Sequence, residues 1–280
     1  MQRVVAAMGV LLAMLAGLAT PGWAGWIIDE TVRAGGNDRH AQRLYLQSNQ
    51  LKSVSLDGGK PAQAMVMDLE SQTITHIDYA KRSYMTATVK EYADAMREGM
   101  QSANDAMKQM EEQLKQLPPD QRKQVEAMIR SQQGGKGQPP APRPEECLAS
   151  KIDIKSTGKR ATVAGFEASG YEIFNNDVLD SEVWIAPAIT AVREIDPQKL
   201  ERMVKEMTAA FPKCPPRGQM FGADPVWKLM KDGYPVRSME KAHGHTTEVT
   251  KAESRALPGA EFQAPAGFTR KTLKEMMGGR

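Results

Sequence analysis

The side chains with the most distinctive chemistry are methionines that recur along a predicted helical segment, residues 88–133. The apolar positions follow one another at intervals of four and three residues, which keeps them on one side of a helix. Because methionine is unbranched and polarizable, such a stripe suits contact with an apolar partner of irregular shape. We predict that the stripe is a lid or a cavity lining, with ligand-binding residues Met96, Met100, Met107, Met110, Leu114 and Leu117.

Two other interpretations of this stripe remain open at the level of sequence. The stripe can be ordinary core, packed on the open face of a sheet. Alternatively, thioether sulfur is a ligand for Cu(I), and Met107 and Met110, one helical turn apart, would be the place for such an ion. No cysteine or histidine lies near these two residues in the sequence.

Local motifs for catalysis are absent from the sequence. It contains no His-Glu-x-x-His helix, no Gly-x-Ser-x-Gly turn and no glycine-rich phosphate loop. The pair His243 and His245 lacks a third metal ligand, and we expect His76, inside a predicted strand, to be packed or hydrogen-bonded. The carboxylates Asp68, Glu70 and Asp78 fall at predicted strand ends, where acidic surface residues are common. We therefore expect a protein without enzymatic activity, metal or cofactor.

The N-terminus predicts export. One arginine precedes an uncharged apolar run, which is followed by a proline and by small residues up to Ala24, the pattern of a signal peptide covering residues 1–24. The run is shorter than the roughly 20 residues that a membrane span needs. Since no cysteine lies near the cleavage site, lipid modification is not supported. We expect a periplasmic or secreted protein without a transmembrane span after cleavage.

The charge argues against one class of partner, and the cysteine content bears on whether a disulfide forms. Removing residues 1–24 takes away one arginine and no acid, so 36 basic and 34 acidic residues remain. This near-balance argues against nucleic acid as the main partner. Cys147 and Cys214 are the only cysteines, and in an exported protein such a pair is more often a disulfide than a reactive thiol.

Short alternating runs separated by turn residues predict β-strands on both sides of the helical segment. Six strands between Trp26 and Thr88 predict an antiparallel meander with one buried and one solvated face. A second meander is predicted from Lys151 to Pro187, with a turn at Ser156–Lys159. A closing hairpin is predicted later in the chain, from residues 234–240 and 245–255.

Capping residues mark the helices. Thr88 and Glu91 have the spacing of a capping box at the start of the long helical segment. Asp196-Pro197 and Asp224-Pro225 predict the starts of two further helices. The helical insertion, residues 89–133, is followed by a linker rich in proline and glycine, residues 134–146. We assign residues 25–280 to a single domain that contains both.

The order of these elements, together with four short motifs, resembles an uncharacterised domain family of exported bacterial proteins. The motifs are Val163–Glu167, Glu182–Pro187, Gly233–Val236 and Phe262–Phe268. That family is similar in layout to the LolA/LolB lipoprotein carriers. The resemblance implies an α+β fold, in which a curved antiparallel sheet, a half-barrel, carries the helical insertion on its concave face.

From the resemblance and the methionine stripe, we expect a non-enzymatic carrier for an apolar small molecule, a lipid or a lipoprotein acyl chain. Two alternatives remain open. One is a protein-interaction module that uses the helical insertion to bind another envelope protein, and the other is a protein that binds Cu(I) or responds to stress.

Overall fold

The computed structural model describes residues 25–34, 38–116, 118, 121, 151–209, 224–242 and 244–276. The predicted signal peptide, the linker 134–146, Leu117 and both cysteines lie outside these ranges, as does the side chain of Met107, so the predictions for them stand as predictions. Among the described residues, no helix combines the length and the hydropathy needed to cross a bilayer.

A single mixed sheet of twelve strands forms the framework of the described chain. The first meander runs through β1 to β6, and the second part of the chain adds β7 to β11 and a short strand, β12. The strands are Trp26–Ala34, Asp38–Gln47, Gln50–Asp57, Lys60–Asp68, Thr73–Asp78, Ser83–Thr88, Ile152–Val163, Phe166–Asn175, Val178–Ala186, Tyr234–Glu240, Thr246–Ser254 and Thr269–Arg270.

Pairing of β1 with β11 joins the two meanders into one sheet, with Trp26 opposite Ser254 and Arg33 opposite Thr246. All pairings are antiparallel except that of β12, which lies parallel to β6 at one edge. β7 forms the other edge, so the sheet is open. The predicted fold class, an α+β fold built on a curved antiparallel sheet, is confirmed.

One predicted turn is a bulge instead. Residues 156–159 lie within the continuous strand β7, where the register against β8 shifts between Ser156 and Arg160. Gly158 takes the positive φ of +68° that the irregularity needs, and the Thr157 hydroxyl donates to the Gly170 carbonyl at 3.0 Å. Because β8 pairs on both sides of the bulge, the strand continues where the sequence favoured a reversal.

Within the described ranges, four α-helices accompany the sheet: α1, Val89–Gln116; α2, Pro197–Ala209; α3, Asp224–Lys231; and α4, Leu273–Met276. The predicted starts of α1, α2 and α3 are confirmed. At α2, Asp196 Oδ1 accepts a hydrogen bond from the Gln198 amide at 2.8 Å, which satisfies a free donor of the first turn.

The helices pack on the concave face of the sheet. Under α1 and α2, the buried cluster consists of Leu69, Ile74, Val89 and Met203, with Met65, Met67 and Tyr92 against it. Under α3, Leu229 packs on Ile173, Val183 and Ile185. The helical insertion therefore begins on the concave face, as predicted.

The opposite face of the first meander is also covered, which corrects the expectation that it is solvated. Residues 257–268 cross it, and Leu257 and Phe262 pack on Val54, Val66 and Ile77. The buried ammonium of Lys52 fixes this segment, since it donates to the carbonyl of Glu261 at 2.7 Å and to its carboxylate at 2.9 Å.

Candidate functional site

The first turns of α1 are anchored to the sheet. The Thr88 amide and hydroxyl donate to Glu91 Oε2 at 2.8 and 2.9 Å, and the Glu91 amide donates to the Thr88 hydroxyl at 3.2 Å. This confirms the predicted capping box. Val89 and Ala93 are buried, and the Tyr92 ring stacks on the ring of His76 in β5. The start of α1 is thereby held in place by the cap, by burial and by an aromatic contact.

The methionine stripe continues the buried side of α1 into solvent. At about 100° per residue, the positions of Val89, Ala93, Met96, Met100 and Met110 fall within roughly 100° of one another on the helix. Along this one side, Val89 and Ala93 are buried and Met96 is half-buried, whereas Met100 and Met110 are 36% and 39% exposed. The same apolar face thus packs on the domain at its start and is open further along.

Burial separates the predicted ligand-binding residues into two groups. Met96 and Leu114 are half-buried, and Met100 and Met110 are exposed. The alternative that the stripe is ordinary core is therefore wrong for Met100 and Met110. With 28 residues, α1 is about 42 Å long, and the buried apolar side chains among its described ones, Val89 and Ala93, lie in its first two turns.

A second candidate site is a pocket that lies where α1 and α4 meet β6, next to the edge strand β12. Its volume is about 260 Å³, and sequence reasoning did not predict it. Most of its lining side chains are polar, and two are methionines. They are Gln63, His76, Ile77, Asp78, Lys81, Ser83, Met85, Tyr92, Lys271, Glu275 and Met276.

His76 is the least satisfied polar group in this pocket. Its Nε2 atom is buried and has no hydrogen-bond partner among the described residues. Burial lowers the pKa of His76 below the ordinary value of 6.5 and raises that of the Tyr92 hydroxyl above 10.0. Both side chains are therefore neutral at neutral pH, and the neutral imidazole keeps one nitrogen lone pair. The prediction that His76 is packed is confirmed, but it is not hydrogen-bonded within the described chain.

The carboxylates of the pocket are already engaged. Asp78 accepts the Lys81 amide at 2.9 Å and lies 3.2 Å from the Lys81 ammonium. Glu275 accepts the amide and the hydroxyl of Thr272 at 2.7 Å, in a capping box at the start of α4. These bonds lower the pKa of both carboxyl groups. Asp78 is buried, whereas the sequence predicted a surface position.

The other predicted chemical groups have structural roles. Asp68 caps its turn by accepting the amides of Glu70 and Ser71, and Glu70 forms an ion pair with Lys199. His245 lies 3.4 Å from the Glu240 carboxylate, and its sequence neighbour His243 lies outside the described residues. In the described ranges, His, Cys, Asp and Glu form no cluster of three or more that could hold a metal ion.

A buried carboxylate also lies near the centre of the concave face. Glu30 accepts hydrogen bonds from Tyr234 at 2.8 Å and from Gln42 at 2.6 Å. Burial raises the pKa of Glu30 despite these bonds, and burial together with Glu30 raises that of Tyr234. Because both acceptor oxygens are occupied from within the fold, this network stabilises the junction of β1, β2 and β10.

Sequence reasoning missed the pocket because its parts come from distant segments. The alternation of β5 places His76 and Asp78 on one face, and the short turn to β6 fixes their partners as Met85 and Ser83. The part of the pocket that β5 and β6 form could therefore be inferred from the sequence. No local pattern indicates that Met276, near the other end of the chain, returns to the same edge.

Comparison with protein families supports the predicted resemblance. Residues 141–268 match a family model described as a domain of unknown function, DUF4412, so the resemblance to an uncharacterised domain family is confirmed. The matched segment includes β7 to β11 and the segment that crosses the opposite face of the first meander. No curated protein sequence gives a significant match.

Solved structures similar to the chain include an uncharacterised conserved protein from Thermus thermophilus, with a TM-score of 0.42, 9% identity and coverage of 89% of this chain and 91% of that one. Another is MucB in complex with MucA(peri), with a TM-score of 0.36, 11% identity and coverage of 89% and 57%. The Pseudomonas aeruginosa MucA/MucB complex gives a TM-score of 0.36, 12% identity and coverage of 89% and 58%. The chain thus spans less than two thirds of the MucB chains.

Proposed function

We propose that the chain is an exported, non-enzymatic binding protein whose methionine stripe on α1 binds an apolar segment of another envelope protein. The observation that carries this proposal is the change in burial along one side of α1. That side is buried at Val89 and Ala93, half-buried at Met96, and exposed at Met100 and Met110.

An exposed continuation of a packed apolar face is what a docking surface requires. Its anchored end fixes the direction of the helix, so a partner meets a surface that is already ordered, which lowers the entropy cost of binding. The methionine side chains adapt to partners of different shape. Exposed apolar groups that lie along one face favour an interaction site more than isolated ones do.

A second candidate is the carrier of a lipid or of a lipoprotein acyl chain. The observation that favours it is the start of α1 on the concave face of a curved antiparallel sheet, the layout of the carriers that the sequence resembles. The pocket at the β6 edge does not add to this candidate, because an acyl chain prefers an apolar lining and most side chains there are polar.

The decisive variant places charge on the exposed part of the stripe. We expect Met100→Glu combined with Met110→Glu to fold normally, because both side chains are exposed, and to lose the bound partner in pull-downs from envelope extracts. Val178→Glu is the matched control, since Val178, the first residue of β9, is 69% exposed and is also a large apolar side chain.

Lipid extraction of the same purified proteins distinguishes the two candidates. If the wild type carries lipid and the double variant does not, the carrier function replaces the interaction function. If neither protein partner nor lipid depends on the two methionines, the stripe is not the binding surface and the interaction function is wrong.

A further inference from the structure

Two methionines lie opposite His76 on the neighbouring strands, and a third lines the same pocket. In the antiparallel register, His76 on β5 lies opposite Met65 on β4 and opposite Met85 on β6. Directly opposite residues project to the same side, with Cβ atoms about 4.5–5.5 Å apart. Cross-strand pairing therefore places a thioether side chain on each side of this imidazole.

The third methionine reaches the same place from the C-terminal part of the chain. Met276 of α4 lines the pocket together with His76 and Met85, and its sulfur lies 3.9 Å from the Ser83 hydroxyl. Ser83 precedes Met85 by two residues and faces the same side of β6. The Lys271 amide, which donates to the Tyr84 carbonyl at 2.7 Å, holds the segment before α4 against β6.

One ring nitrogen of His76 has no partner in the described chain. Buried polar atoms in folded proteins are nearly always hydrogen-bonded, yet His76 Nε2 is buried without a partner among the described residues. The neutral imidazole is a good ligand for transition metals, and thioether sulfur is a soft ligand that selects Cu(I).

The charges in the pocket favour a soft monovalent ion over a hard divalent one. Ca²⁺ and Mg²⁺ need several carboxylate or carbonyl oxygens. Here Asp78 is paired with Lys81, and Glu275 caps α4. Lys271 adds a further positive charge to the lining. Neutral nitrogen and sulfur ligands can hold a single positive charge without those carboxylates.

We propose that His76, Met85 and Met276 bind one Cu(I) ion in this pocket. The site differs from the pair Met107 and Met110 that the sequence suggested, because it combines imidazole with thioether and lies against the sheet. Methionine has three rotatable side-chain bonds, and the pocket of about 260 Å³ leaves room for both sulfurs to turn toward the ion. Met65 belongs to the apolar cluster beneath α1 and is not a ligand.

The test is a Cu(I) titration of the purified exported protein, without oxygen, against the chromophoric chelator bicinchoninate. Cys147→Ser and Cys214→Ser form the background, because thiolates would compete for the ion. We expect one Cu(I) per chain, and X-ray absorption should show both nitrogen and sulfur ligands. Met85→Leu, Met276→Leu and His76→Phe should each weaken binding at least about tenfold, as loss of a metal-site group does.

Met65→Leu is the matched control, since it lies opposite His76 in the sheet but does not line the pocket, and we expect its affinity to remain within about twofold of the parent. Met276→Leu keeps the test valid if a core variant fails to fold, because Met276 is only half-buried in a short helix. A parent protein that retains no Cu(I) overturns the proposal. So does unchanged affinity in Met276→Leu, or a loss of binding that follows Met107→Leu with Met110→Leu instead.

Discussion

The rings of His76 and Tyr92 are stacked, with 5.5 Å between their centroids and 14° between their planes. His76 lies in the middle of β5 and Tyr92 near the start of α1, so this contact links the sheet to the helix that carries the methionine stripe. Both side chains also line the pocket near β6, so this contact connects the pocket to the helix with the methionine stripe.

Replacing Tyr92 by alanine should loosen the start of α1. We expect the free energy of unfolding to fall by about 2–3 kcal/mol, somewhat less than for a fully buried aromatic ring, because Tyr92 is half-buried. Urea denaturation measures the change. Tyr92→Phe is the control and should remain within about 0.5 kcal/mol of the wild type, since the hydroxyl has no hydrogen bond to the described residues. Equal losses in both variants would show that the ring stack is not the stabilising contact.

His76 should make stability depend on pH. Burial lowers its pKa in the folded state below the ordinary 6.5, so below that pH the unfolded chain takes up a proton that the folded chain resists. Stability is therefore present above pH 6.5 and is lost as the pH falls. We expect the wild type to lose stability between about pH 7 and pH 5 more steeply than His76→Phe, which keeps a ring against Tyr92. Parallel curves for the two proteins in urea titrations would contradict this assignment.

Glu30 should make stability depend on pH in the direction opposite to that of His76. Its pKa is raised by burial above 4.5, so the folded state binds a proton more readily than the unfolded state does. Stability from this group is present below pH 4.5 and is lost as the pH rises through the folded pKa. Relative to the wild type, Glu30→Gln should therefore gain stability as the pH increases from about 4 to 8. A stability difference that is constant across this range would mean that folding does not shift the pKa of Glu30.

The ion pair between Lys52 and Glu261 should hold the segment 257–268 on the sheet. Lys52→Met removes the bonds to the Glu261 carbonyl and carboxylate, and we expect a loss of about 2–3 kcal/mol, as for buried bonds to a charged group. Glu261→Gln keeps the bond to the carbonyl and should cost roughly 1 kcal/mol. Unfolding curves and limited proteolysis within 257–268 measure these effects. If the segment is equally protected in the wild type and in Lys52→Met, apolar packing alone holds it.

Local sequence patterns were sufficient for most of the framework. Alternating runs that end at turn residues predicted six strands between Trp26 and Thr88, which are β1 to β6 of the structure, and the cap at Thr88 and Glu91 marked the start of α1. The bulge in β7 was mistaken for a turn because serine, threonine and glycine serve both structures. The pairing of β8 with β7 on both sides of these residues shows that the structure is a bulge, and this pairing is not visible in the local sequence.

Long-range pairing explains what the sequence did not reveal. The pocket depends on Thr269 pairing with Ser83, and the cover of the opposite face depends on Glu261 reaching Lys52. Neither contact leaves a periodic signal. The stripe itself was visible in the sequence, but its change from buried to exposed was not, since burial depends on contacts with distant segments of the chain.

The most direct test of the proposed function is a photo-crosslinking measurement on the full-length protein in the cells that produce it. A benzophenone amino acid replaces Met100 in one variant and Val178 in the other, since both positions are exposed. The proposal predicts one protein adduct of defined mass from position 100, absent when Met110→Glu is added, and no such adduct from position 178. Equal adducts from both positions, or none from position 100, would contradict the proposal that the stripe of α1 binds a partner protein.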